Sequence, residues 1–117
     1  MSKFLTKLIV EKVDDSDDEW LIVGDFKYQS DIGGTITVPS GYKTDFASIP
    51  QPFWIILPKD GKYDGAAVIH DYIYGTHKFD RKTCDQILLE AMKVLGVSWW
   101  KRSLIYSGVR LGGWTRY

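Results

Sequence analysis

The chain has 117 residues, 44% hydrophobic and 26% charged, with equal numbers of acidic and basic side chains. That length makes a single domain, 1–117, which can bury roughly two-thirds of its unfolded surface without a disulfide or a metal. The lone Cys84 excludes an internal disulfide, no apolar run reaches ~18 residues, and MSKFLTKLIV meets Glu11 too soon for a signal peptide, so neither leader nor transmembrane segment is expected.

Residues 1–40 read as strands. LTKLIVEKV is apolar and β-branched, and it ends in the solvated acidic turn DDSDDE. WLIVGDFKY follows, then the turn QSDIGG, then TITVPS, with Pro39 ending the third run. The expected arrangement is an antiparallel hairpin extended to a three-stranded sheet. Residues 41–63 carry three of the four prolines. They read as a long structured loop with one short helical turn at QPFWIIL, anchored by Trp54. Long loops of this kind tend to carry function.

Residues 64–117 read as helical. The first helix is expected at 64–75, with Asp64 as N-cap and Gly75 as stop. The second is expected at 81–95, with Asp80 as N-cap and Gly96 as stop. Its apolar face is Cys84, Ile87, Leu88, Ala91, Val94 and Leu95. The third is expected at 98–112, with Ser98 as N-cap, a stripe of Trp100, Leu104, Ser107 and Leu111, and Gly112-Gly113 as its end. The class is therefore α+β.

Charge is unevenly spread. Residues 1–40 hold four lysines against eight acids, whereas no acid follows Glu90. The basic end is also rich in aromatics, with Trp99, Trp100, Lys101, Arg102 and Trp114. Such a segment suits a phospholipid membrane or an acidic protein partner. A last helix that packs its aromatics inward gives the same composition. The zero net charge and the missing recognition motif argue against a nucleic-acid partner.

The chemistry concentrates in His70-Asp71-Tyr72-Ile73-Tyr74. His70 and Tyr74 are four apart and share a helix face. His70 lies five residues before the end of its helix, and Asp85 five residues after the start of the next. At 1.5 Å per residue both stand about 7.5 Å from the connection, so antiparallel packing brings them level. A carboxylate on one imidazole nitrogen fixes the tautomer and stabilises the imidazolium, as a general base requires. The same pair also serves as a purely structural buried hydrogen bond. In the loop, Asp45 supplies a second carboxylate beside Asp71, a set that suits Ca²⁺ with loop carbonyls. Thr44 and Ser48 flank it as candidate loop or substrate contacts. A local hydrogen-bonded turn accounts for the same loop.

Two resemblances arise on these residues. VPSGYKTDFASIP, AAVIHDYIY and DRKTCDQILLEAMKVLGV together resemble an uncharacterised family of small phage and prophage proteins. That implies a viral origin and a place in the virion or the host cytoplasm. His70-Asp71-x-x-Tyr74 followed by Asp85 is more distantly similar to the paired-helix site of the secreted phospholipase A2 superfamily. That likeness implies His70 as the base that activates water, Asp71 as a Ca²⁺ ligand, and Tyr74 and Asp85 as the orienting pair. Two functions are thus expected: a small phospholipase A2-like ester hydrolase, or a non-enzymatic virion or host-interaction protein.

Overall fold

The structure is a computed structural model that describes residues 1–13, 19–44 and 63–112. Six short strands precede three helices: β1 (Lys3–Phe4), β2 (Val10–Lys12), β3 (Trp20–Ile22), β4 (Phe26–Ser30), β5 (Gly34–Val38), β6 (Lys43–Thr44), α1 (Asp64–Thr76), α2 (Arg81–Val94) and α3 (Trp99–Gly112). The strands form two antiparallel three-stranded sheets, β1-β4-β5 and β2-β3-β6, rather than one. The expected hairpin is present, with Val10 opposite Ile22 and Lys12 opposite Trp20. Its acidic turn, 14–18, lies outside the described residues.

The second sheet arises at Gly24. WLIVGDFKY does not run as one strand, because Gly24 adopts a positive φ of 76° and the chain passes from β3 into β4 of the other sheet. A β-carbon strains that conformation. The crossing is held by Ser40, whose Oγ accepts the Gly24 N–H at 3.0 Å. In the β4–β5 hairpin, Ser30 Oγ accepts from the N–H groups of Ile32 and Gly33. A β-carbon on Gly33 would meet Phe79 Cζ at 2.8 Å, so the turn lies directly on the α1–α2 connection.

Period-two alternation turns Phe26, Tyr28 and Ser30 of β4 and Ile36 and Val38 of β5 inward. Phe26, Tyr28, Ile36 and Val38 join Ala66, Ala67, Ile69 and Ile73 of α1 and Ile87, Leu88, Ala91 and Met92 of α2 in one buried cluster. Tyr28 brings a polar atom into this core, and its hydroxyl donates to Glu90 Oε1 at 2.6 Å. A buried phenol needs such an acceptor.

Helix α2 keeps its expected caps and buries Cys84, Ile87, Leu88 and Ala91 of its expected apolar face, whereas Val94 is exposed and Leu95 is a half-buried cap. Asp80 Oδ1 accepts the Thr83 N–H at 2.8 Å, and Gly96 adopts φ 83° just beyond the Leu95 cap. Helix α1 departs at both ends. Its N-cap is Tyr63, with no side-chain cap bond, and Asp64 sits in the first turn, where its charge faces the positive end of the helix dipole. The helix continues through Gly75 to Thr76, and His77 takes the left-handed cap at φ 51°. His77 N–H bonds Tyr74 O and Lys78 N–H bonds Ile73 O, the paired closure of a Schellman end.

Helix α3 begins one residue after Ser98, and its orientation overturns the expected stripe. Trp99, Trp100, Leu104 and Leu111 are exposed, as is Ser107, while Ile105, Gly108 and Val109 are buried. The inward-packed aromatic reading therefore fails for Trp99 and Trp100. A helical period marks one face of a helix without saying which face packs. Here α2 takes the narrower stripe of Ile105 and Val109. Trp114 and residue 113 lie outside the described residues, as does the loop turn at 51–57 with Trp54.

Candidate active site

The connection between α1 and α2 is four residues long, so the helices pack antiparallel and His70 comes level with Asp85. His70 Nε2 lies 2.8 Å from Asp85 Oδ1, and both side chains are 0% exposed. Tyr74, one turn along α1, donates its hydroxyl to the same Oδ1 at 2.6 Å. Its ring centroid lies 4.2 Å from that of His70. The second oxygen, Oδ2, accepts from Arg110 Nη1 at 3.0 Å. Asp85 thus takes donors from α1 on one oxygen and from α3 on the other.

The electrostatics follow. Burial pushes the Asp85 carboxyl up, but the bonds from His70, Tyr74 and Arg110 outweigh it and hold the group below its ordinary value. Burial first, and then the bond to the carboxylate, pushes the Tyr74 phenol far above its usual range, so it remains a donor. An ionised Asp85 can only accept. The hydrogen between it and His70 therefore sits on Nε2, and in the neutral ring Nδ1 holds the lone pair. Nδ1 is buried as well. One fixed tautomer, with a carboxylate ready to stabilise the imidazolium, is what proton abstraction at Nδ1 requires. Adjacent Cys84 has no such activation: burial pushes its thiol up to about 12.

Asp71 does not join this network. Its Oδ2 accepts from Thr44 Oγ1 at 2.7 Å and from Tyr42 Oη at 3.1 Å, which ties α1 to β6. Tyr42 packs edge-on against Tyr72 with centroids 5.2 Å apart. Thr44 is thus placed at Asp71, whereas Asp45 and Ser48 lie outside the described residues. No group of three His, Cys, Asp or Glu side chains that could hold a metal occurs among the described residues. A lone carboxylate with two hydroxyls donating to one oxygen falls short of the six to eight oxygens that Ca²⁺ takes.

Three residues of this region escaped the sequence reading. Arg110 was legible only as a base near a helix C-terminus, where the dipole already accounts for it. Tyr42 stands two residues before Thr44, the strand spacing that puts both on one side. Tyr63 is buried, its hydroxyl has no hydrogen-bond partner among the described residues, and burial followed by the charges of Asp64 and Asp71 raises its phenol well above the usual range. A tyrosine before a helix carries no signal of that.

The chain is similar to the protein called "Uncharacterized protein y4jT" of Sinorhizobium fredii (strain NBRC 101917 / NGR234), with 37% identity over 95 residues. The match takes in 78% of this chain and 28% of that relative, so the chain spans little more than a quarter of its length. No solved structure matches the chain. No described helix is long and apolar enough to cross a membrane. The family described as "Protein of unknown function (DUF1353)" matches residues 20–109, a span holding both sheets' inner strands and the His70, Asp71, Tyr74 and Asp85 constellation, and the chain belongs to that family.

Proposed function

We propose that the protein is a small ester hydrolase of phospholipase A2 type, encoded by a phage or prophage, with His70 as its general base. The observation that carries this is the closed bonding of Asp85, which leaves Nδ1 as the basic atom of His70. Water attacks the ester carbonyl carbon while His70 Nδ1 takes its proton, and the carbonyl π pair moves to oxygen. When the tetrahedral adduct collapses, the C–O bond to the alcohol breaks and the leaving oxygen receives that proton. Ester and water give acid and alcohol, and the imidazole returns to its neutral form. Asp85, Tyr74 and Arg110 act through His70 as positioning residues.

Calcium belongs to this proposal through Asp71 and Asp45. The described residues alone do not fit a calcium site, so no step is routed through the ion. The test is release of fatty acid from mixed phospholipid vesicles, and of alcohol from a soluble ester, with Ca²⁺ and with chelator. His70→Gln is expected to lower the rate by about 10²–10⁴-fold, the usual worth of a general base. Equal rates with Ca²⁺ and chelator remove calcium and keep the base. Negligible release by the unaltered protein under every condition refutes the hydrolase.

A second reading has its own support: His70 is 0% exposed, as expected of a structural hydrogen bond. On that reading the protein is a non-enzymatic virion or host-interaction component. Its signature is that His70→Gln changes stability and leaves phage yield unaltered.

A further inference from the structure

A helix lying on a protein surface turns charged and polar side chains to water. Helix α3 does not. Among residues 99–111, whose burial is described, six are exposed: Trp99, Trp100, Ser103, Leu104, Ser107 and Leu111. None carries a charge. At 100° per residue they spread over an arc of about 140°, within which the half-buried Arg110 also falls. The apolar members are heavily exposed, Trp99 at 69%, Trp100 at 46%, Leu104 at 44% and Leu111 at 78%.

Lys101 and Arg102 stand beyond the two edges of this arc. Lys101 lies on one side, with its ammonium 5.6 Å from the centroid of the Trp100 ring. Arg102 lies on the other, half-buried, with its Nη1 donating to Val97 O at 3.0 Å, while Arg110 is held by Asp85. No acid follows Glu90 anywhere in the sequence. The exposed side chains of the face are therefore Trp, Leu and Ser, with Lys101 and Arg102 on its two borders, while the half-buried Arg110 beneath it is neutralised by Asp85.

We infer that this face docks on an anionic phospholipid surface. Tryptophan favours the headgroup boundary, where its apolar ring and its N–H are both satisfied. Leu104 and Leu111 lie beside it to enter the acyl boundary, while the bordering cations meet lipid phosphates. A second copy of the chain is the poorer occupant. Symmetric pairing through this strip sets the bordering cations of one copy against those of the other. The inference goes beyond the hydrolase reading, because a chain with no activity at His70 docks in the same way.

The experiment is co-sedimentation with vesicles of phosphatidylglycerol and phosphatidylcholine, and with phosphatidylcholine alone, at low and high salt. Tryptophan emission is followed in parallel. The whole chain is expected to bind the anionic vesicles, with a blue shift, and to bind the neutral ones more weakly. Binding should weaken as salt screens the cations. Trp99→Ser/Trp100→Ser removes exposed side chains, so folding should be retained, as checked by circular dichroism. The variant is expected to bind at least ~10-fold more weakly, since partitioning scales with buried apolar area. Absence of binding to anionic vesicles overturns the inference, as does unchanged binding of the double variant. A dimer of the unaltered chain that the double variant converts to monomer assigns the face to a second copy and also overturns it. The readout is binding rather than hydrolysis, so its failure is distinct from failure of the hydrolase.

Discussion

Asp85→Asn keeps the shape of the side chain and changes only its bonding. The carboxylate accepts on both oxygens, two donors on Oδ1 and one on Oδ2. An amide has one acceptor and one N–H₂, so either rotamer points a donor at a donor. Facing Arg110, the amide opposes Nη1. Facing α1, it opposes the Tyr74 hydroxyl and drives His70 into the other tautomer. Hydrogen bonds to a charged group are worth about 1.5–3 kcal/mol each, and breaking a buried pair costs about 3–5 kcal/mol. Arg110 is 32% exposed and can rehydrate, which puts its share at the low end. The expected loss is about 3 kcal/mol. With a urea m-value of about 1–3 kcal/mol per molar, the midpoint should fall by roughly 1–3 M.

The pH dependence of that loss has a definite sign. The folded carboxyl of Asp85 lies below its ordinary value of 3.8. Such a group stabilises the fold fully above its unfolded pKa of about 3.9 and loses that contribution as pH falls through the folded value. The difference between the unaltered protein and the variant should thus be full at neutral pH and shrink below pH ~4. Urea titrations at neutral pH and at several acid values measure it. A difference under about 1 kcal/mol at neutral pH, or one that grows as pH falls below ~4, refutes the bonding scheme.

Three further outcomes are expected. Ile105→Ala should cost about 2–5 kcal/mol in urea unfolding, while Leu104→Ala stays within about 0.5 kcal/mol; the reverse order would turn α3 over. Burial raises the Cys84 thiol to about 12, so a maleimide at mildly alkaline pH should label the protein only after denaturation. Rapid labelling of the native chain would expose that helix face. His77→Gly should raise stability by about 0.5–1 kcal/mol, because glycine relieves the left-handed cap at φ 51°. A loss of stability would show that the histidine side chain contributes more than its backbone costs.

The pairing of His70 with Asp85 was legible because it needs only the helix rise and a short connection. Asp80 and Gly96 were legible because N-cap and left-handed C-cap chemistry is local. What the residues could not show depends on packing between elements. Arg110 reaches Asp85 from a third helix, and its arrival depends on the crossing of α2 and α3, which no residue pattern encodes. The exposed and buried faces of α3 were exchanged because Trp100, Leu104 and Leu111 have the period of a core stripe, while the packed stripe is only Ile105, Gly108 and Val109. Gly75 looked like a helix stop, but Thr76 completes the turn and the closing bonds fall one position later, on His77 and Lys78. Gly24 divides WLIVGDFKY between two sheets, a choice made by tertiary pairing with β6 and β5 rather than by the run itself.

One carboxylate accepts from two helices that meet chiefly through a third. Tyr74 and Arg110 bind different oxygens of Asp85, yet each changes the charge and position of the oxygen pair that the other binds. Their energies cannot then be independent, and removing both should cost a different amount from the sum of removing each. A disturbance at the last turn of α3 is therefore expressed at the imidazole in α1. The three helices are thus joined at a single anion as well as along their packed faces, so they should loosen as one cooperative unit together with the strands whose inward side chains share their buried cluster.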